Sequence, residues 1–233
     1  MNKSIIFPLV LLSMLLSIAQ SSYADNTVRI SERSCKFTVD IPQGWERIPT
    51  AAIKEKFEKV PVSLALYPKD QTSYFSDNYI LISVLPSIKA LSNFSFKNIV
   101  ENVNKMNEES RKIQTNSLKI EYDKTENYIA DGHYHISTKM IIHKDSVGMS
   151  CMQDLLLTKF GYISVSCYAK NGYAQKELGE MAQLISKNIK VEPDYQYSEP
   201  KKQSVFSLRN IGISVGIGLV VFVVITFLGK KKK

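Results

Sequence analysis

The sequence predicts an α/β fold of the α+β kind, a mainly antiparallel sheet covered by helices on both faces, followed by one C-terminal transmembrane helix. Three patterns predict it. Several segments alternate apolar and polar residues with the period of two of a half-covered strand, and two others repeat apolar residues at the helical spacing of three or four. The run Ile211 to Leu228 carries no charged residue, and at about 1.5 Å per helical residue it spans roughly 27 Å, close to the hydrocarbon thickness of a bilayer.

In chain order, Cys35, Phe37, Val39 and Ile41 alternate with Lys36, Thr38 and Asp40, which predicts a first strand ended by Pro42-Gln43-Gly44-Trp45. Thr50 is placed to cap a short helix with Ile53 and Phe57 one turn apart, and Pro61 closes it before a strand from Val62 to Tyr67. Tyr79 to Leu85 is apolar on both faces, as a central strand with cover above and below requires. Phe96, Ile99, Val100, Val103 and Met106 make one helical stripe, and Leu178, Met181, Ala182, Ile185 and Ile189 make another. Between them four strands are expected, around Leu118 to Tyr122, Tyr134 to Ile142, Met149 to Leu157 and Tyr162 to Tyr168. Asp131-Gly132 is a turn signal, and Lys159-Phe160-Gly161 joins the last two strands as a hairpin.

The ends carry the sorting information. Lys3, the apolar run Ile5 to Ile18 and Ser22-Tyr23-Ala24 have the layout of a signal peptide over residues 1–24. A domain over 25–191, a polar spacer over 192–209, a membrane helix over 210–229 and a lysine tail over 230–233 are then expected. Of the 30 Lys and Arg, Lys3, Lys201, Lys202, Arg209 and Lys230 to Lys233 lie outside Asp25 to Pro200, whereas all 22 Asp and Glu lie inside it. The net charge of +8 therefore belongs to the ends, the domain is balanced, and a nucleic-acid partner, which needs a basic face, is not expected. Lysines resist crossing a bilayer, so the expected topology is a single-pass protein of the bacterial inner membrane, with the domain in the periplasm and the C-terminus in the cytoplasm.

The segment Phe37-Thr38-Val39-Asp40-Ile41-Pro42-Gln43-Gly44-Trp45, the order of a sheet interrupted by a helix and then closed by one, and Met181 to Lys190 (MAQLISKNIK) together resemble the PsbP-like superfamily. That group includes the PsbP extrinsic subunits of photosystem II and periplasmic proteins related to DcrB. The resemblance covers most of Val28 to Val191. It implies an α/β/α sandwich used for docking to other proteins, with no shared active site, and no catalytic residue transfers.

Candidate chemistry is sparse. His133 and His135 share one face of a strand and His143 has the same parity, the least a metal site needs; alternating with Tyr134, Ile136 and Met140, they read most simply as a polar surface. Cys35, Cys151 and Cys167 alternate with apolar neighbours and are expected to point inward; Cys151 and Cys167, at near-equal distances from Lys159, are candidates for a disulfide. Gly212 and Gly216 form a GxxxG face through which the anchor would pair into a homodimer. No nucleophile elbow, phosphate loop or paired-carboxylate signature is present, so no catalytic residue and no cofactor is expected. The expected function is a membrane-tethered, non-enzymatic periplasmic module that docks to an envelope protein; the alternatives are a carrier or sensor of a metal or small apolar ligand, and an envelope enzyme of unrecognised type.

Overall fold

The computed structural model describes residues 26–200 except 59, 113–117, 124, 145–146 and 171–174. Its centre is the hairpin of β9 (Val147–Thr158) and β10 (Gly161–Lys170), flanked by β5 (Asn78–Pro86) and β8 (His133–Lys144). Beyond β5 lie β4 (Leu64–Pro68) and the three-residue β3 (Trp45–Arg47). β6 (Leu118–Tyr122) and β7 (Glu126–Ala130) both pair with the outer side of β8, completing eight strands, all antiparallel. β5 and β10 are central because they are apolar or small on both sides: every residue of β10 from Gly161 to Ala169 is buried. Burying an Ile or Leu side chain contributes about 1.5–3 kcal/mol, so these two strands are where burial stabilises most.

Turn chemistry matches this order. Asp131 and Gly132 both have left-handed backbones, with φ of 51° and 77°, the pair of positive values that a two-residue turn between β7 and β8 needs. At Gly161 the chain passes so close to the end of β5 that a Cβ would lie 2.1 Å from the Leu85 carbonyl oxygen, at a φ of +152°. Only glycine fits there.

Both faces of the large sheet are covered, but not in the way the sequence predicts. The second face carries α1 (Thr50–Lys56) and α2 (Phe96–Lys112): Ile53 and Phe57 pack with Ala65, Tyr79 and Leu81, and Ile99, Val103 and Met106 pack with Ile136, Leu155 and Tyr162. The first face carries α3 (Gln175–Lys187) together with a second sheet, in which β2 (Lys36–Asp40) pairs with both β1 (Thr27–Ser31) and β11 (Lys190–Val191). The fold is thus mixed α/β with a large antiparallel sheet and few helices, and a three-stranded sheet shares the first face with α3. Phe37, Val39 and Val191 cover Leu66, Ile80 and Val165 in a cluster that Ala182 and Ile185 of α3 complete. The first predicted strand is present as β2 and belongs to the smaller sheet.

Two further expectations change. Thr50 is the first residue of α1 rather than its cap; Pro49 takes that place, and no side chain caps the helix. Residues 192–199 are not a free spacer. The Glu192 amide donates to the Lys36 carbonyl, Gln196 bridges to Thr158, the buried Tyr197 hydroxyl donates to the Phe94 carbonyl at 2.8 Å, and the Phe96 amide donates to Glu199 at 3.0 Å. This strap crosses the end of the sheet at the β9–β10 turn. Two prolines and the lack of periodicity hid it, because its order comes from partners far along the chain. Among the described residues no helix is long and apolar enough to cross a membrane; the run 211–228, with Gly212 and Gly216, lies outside them, as does the N-terminal segment 1–24.

Candidate functional site

β8 and β9 bring together a polar group that sequence reading does not assemble. Asp154 projects from the first face of β9, opposite Ser137 of β8. His135 lies two residues from Ser137 on the same face, and its Nδ1 is 2.8 Å from Asp154 Oδ2. Tyr128, opposite His135 on β7, stacks its ring on the imidazole with centroids 4.6 Å apart and planes 5° from parallel, and its hydroxyl donates to Asp154 Oδ1 at 3.1 Å. The side chains of His135 and Asp154 are 1% and 0% exposed. Three adjacent strands are thus fastened through one carboxylate whose two oxygens each have a partner, the arrangement that makes a buried charge tolerable. Burial, and then the charge of Asp154, push the Tyr128 hydroxyl well above the ordinary phenol range.

Chemically the group resembles the orienting half of a proton relay, in which a carboxylate fixes a histidine through Nδ1. A nucleophile would have to come from nearby. Ser137, whose buried hydroxyl has no hydrogen-bond partner, shares the face, but it is 2% exposed. The polar atoms of the trio face one another, and its evident effect is to pin the edge strand β7 to the sheet.

This placement corrects the reading of the histidines as one polar surface. His135 is core. His133, next along the face, is partly buried, and desolvation followed by the proximity of His135 lowers its pKa from the usual imidazole value. His143 is 43% exposed, with Nε2 3.9 Å from Glu121, and it lies eight positions along the strand from His135, about 27 Å away. The three do not converge, and among the described residues no group of three or more His, Cys, Asp or Glu is placed to hold a metal.

The cysteines are inward, as expected, but Cys151 and Cys167 do not form a disulfide. Cys151 stands opposite Tyr168, and Cys167 opposite Met152. One residue out of register places them on opposite faces: Cys151 packs with Tyr79 and Tyr168 beneath α1, and Cys167 with Val165 and Ala182 beneath α3. Burial pushes the Cys151 thiol up to about 12; the Cys35 thiol is also pushed up to about 12, first by burial and then by Glu32. Neither is a thiolate at neutral pH, so neither is poised as a nucleophile.

The second face holds a neutral counterpart. Gln153 Nε2 donates to the Ser164 hydroxyl at 2.8 Å, Ser164 and Ser166 lie 3.3 Å apart, and Thr138 meets Thr125 at 3.4 Å. These buried groups separate the apolar cluster under α1 from the one under α2. The stripe Tyr162, Ser164, Ser166 and Tyr168 is therefore a covered face. Between β6 and β8, a shallow open depression of about 210 Å³ is lined by Glu121, Tyr122, Asp123, Lys139, Met140 and Ile141, a mixed polar and apolar set.

Sequence reading missed Asp154 and Tyr128. The signal for Asp154 was present: it is the only charged residue from Val147 to Thr158, and a lone carboxylate in an apolar strand is rarely buried without a partner.

The exposed feature beside this trio is the outer edge of β7. No described strand pairs with it, and Ile129, on the second face beside Tyr134, is 59% exposed. Phe96 and Tyr134 pack edge to face, and Tyr134 packs likewise on Tyr197, all close to the edge.

No protein-family model and no curated protein matches the sequence. Among solved structures, the chain is similar to the cyanobacterial PsbP protein CyanoP of Synechocystis sp. PCC 6803, with a TM-score of 0.46 and 13% identity over 72% of this chain and 93% of that one. It is similar to LpqN of Mycobacterium tuberculosis, a protein involved in cell envelope biogenesis, with a TM-score of 0.46 and 10% identity over 74% and 95%. It is also similar to protein PA94 of Pseudomonas aeruginosa, of unknown function, with a TM-score of 0.35 and 9% identity over 69% and 94%. These likenesses carry nothing about activity.

Proposed function

We propose that this chain is a non-enzymatic envelope module, tethered to the bacterial inner membrane by the run 211–228 with its domain in the periplasm, and that it works by docking to another envelope protein along β7. The observation that carries the reading is the edge itself. Tyr128, His135 and Asp154 hold β7 in place from beneath while its outer side offers unpaired backbone groups and the exposed Ile129. A rigid, one-sided strand edge with an apolar anchor is what strand addition by a partner uses: backbone hydrogen bonds supply affinity and the side-chain pocket supplies selectivity. The buried, protonated thiols and the internally partnered His135 support a binding role over a catalytic one.

The test is site-specific photocrosslinking of the full chain in cells. A probe at Asn127, exposed on β7, is expected to give a discrete membrane-associated adduct that Ile129→Glu abolishes, while a probe at the exposed Lys54 of α1 gives none. Adducts absent at Asn127, or equally strong at Lys54, would overturn docking at this edge.

A further inference from the structure

Of the exposed large apolar side chains, Ile88 at 69% and Phe160 at 37% belong to one end of the molecule. The loop after β5 is tied to the β9–β10 turn there: the Ser87 amide donates to the Phe160 carbonyl at 2.8 Å, and the Leu91 amide to the Lys159 carbonyl at 2.7 Å. Lys89 sits in the same loop, and Lys159 holds its ammonium 5.1 Å from the Phe160 ring centre. The strap passes the same place, with the Lys159 amide donating to the Tyr195 carbonyl at 2.7 Å and Phe160 packing edge to face on Tyr195. Four residues after its bridge to Thr158 the strap reaches Pro200, the last described residue.

The chain beyond Pro200 limits where this end can be. Ten residues lie between Pro200 and Ile211, so the two are at most about 40 Å apart. The strap leaves the described domain at the end carrying Ile88 and Phe160, and an apolar tip rimmed by lysines has the composition that settles at a headgroup layer. Tethering at this range makes the encounter intramolecular, so a contact too weak to recruit a free protein is still populated.

We propose that this end of the domain rests on the bilayer surface, with Ile88 and Phe160 entering the headgroup layer of an anionic membrane and Lys89 and Lys159 meeting its phosphates. This inference rests on the membrane tether proposed above. It fixes the domain's orientation and sets the β7 edge close to the membrane, so a partner that reaches β7 is itself membrane-associated.

The experiment places a nitroxide label on Ile88→Cys, Phe160→Cys or, as the distal control, Asp70→Cys in the full chain, reconstituted in phosphatidylcholine vesicles with and without phosphatidylglycerol. The buried native thiols stay unlabelled at neutral pH. Flotation after an alkaline wash reports the tether separately. The expected result is flotation together with a severalfold higher ratio of oxygen to water-soluble nickel collisions at positions 88 and 160 than at 70, in the anionic vesicles. Lys89→Glu with Lys159→Glu should bring that ratio back to the control while flotation persists. Flotation with positions 88 and 160 as water-exposed as 70 overturns surface seating and leaves the tether standing. Shielding that is independent of lipid charge and accompanied by crosslinking between copies overturns it in favour of a dimer. A chain that does not float removes the tether and this inference with it.

Discussion

Gln153 and Asp154 are neighbours in sequence and face opposite sides of the same strand, and each sits in a buried polar group, that of Asp154 on β7 to β9 and that of Gln153 reaching from β9 to β10. The two groups differ in charge and in position. Asp154 serves two donors at the edge of the first face, where β7 would otherwise be held mainly by its ladder to β8. Gln153 belongs to a neutral hydroxyl and amide belt between two apolar clusters beneath helices. Removing a carboxylate that holds two partners leaves both of them unpaired and opens a cavity, whereas removing one member of a neutral belt breaks a single hydrogen bond. The charged group acts as a rivet and the neutral one as a seam.

Asp154→Ala is the largest test of that difference. It leaves the buried His135 imidazole and the half-buried Tyr128 hydroxyl without their acceptor, and the expected loss is about 2–5 kcal/mol in urea unfolding, with hydrogen exchange in β7 rising towards that of a free strand. Tyr128→Phe, which removes one donor and keeps the stacked ring, should cost less than Asp154→Ala. Equal and small losses for both would mean that the trio does not fasten the edge, and would weaken β7 as a rigid docking strand. Gln153→Ala on the opposite face should cost about 1–3 kcal/mol, from the lost hydrogen bond to Ser164 and a small cavity, with exchange in β7 unchanged. If Gln153→Ala loosened β7 as much as Asp154→Ala, the two faces would be one network and the comparison would fail.

What the sequence made legible follows the same division between local and distant causes. β5, α2 and α3 were readable because their own residues carry the pattern: Tyr79 to Leu85 is apolar throughout, and Ile99, Val103 and Met106 recur at helical spacing. β7 was not, since Glu-Asn-Tyr-Ile-Ala leaves its two largest side chains on opposite faces, one of them exposed. β11 exists only because Val191 pairs with Phe37, a contact that no local window shows. For His135, parity correctly named the face but not the cover, which comes from Tyr128 and the layer above. The disulfide failed on half a residue. A turn centred on Lys159 would set Cys151 opposite Cys167, but the turn is Lys159-Phe160, so the centre moves and Cys151 meets Tyr168.

The two cysteines give the mildest test of the two faces, because the expected effect of a reductant is nil. A bridge closing the 17 residues from Cys151 to Cys167 would contribute about 3 kcal/mol in the chain-entropy model, so an unchanged urea midpoint in excess dithiothreitol supports separate faces, and a drop of that size would place both sulfurs on one. Alkali probes the same burial. The folded state holds the Cys35 and Cys151 protons up to about 12, against an ordinary thiol value of 9.0 in the unfolded chain. Between these values the folded state binds more protons than the unfolded one, so the stability these thiols contribute is complete below pH 9 and declines as pH rises towards 12. Alkylation at pH 8 should accordingly modify none of the three cysteines until denaturant is added, and then all three; a cysteine modified in the native state would show that its face of the sheet opens to solvent.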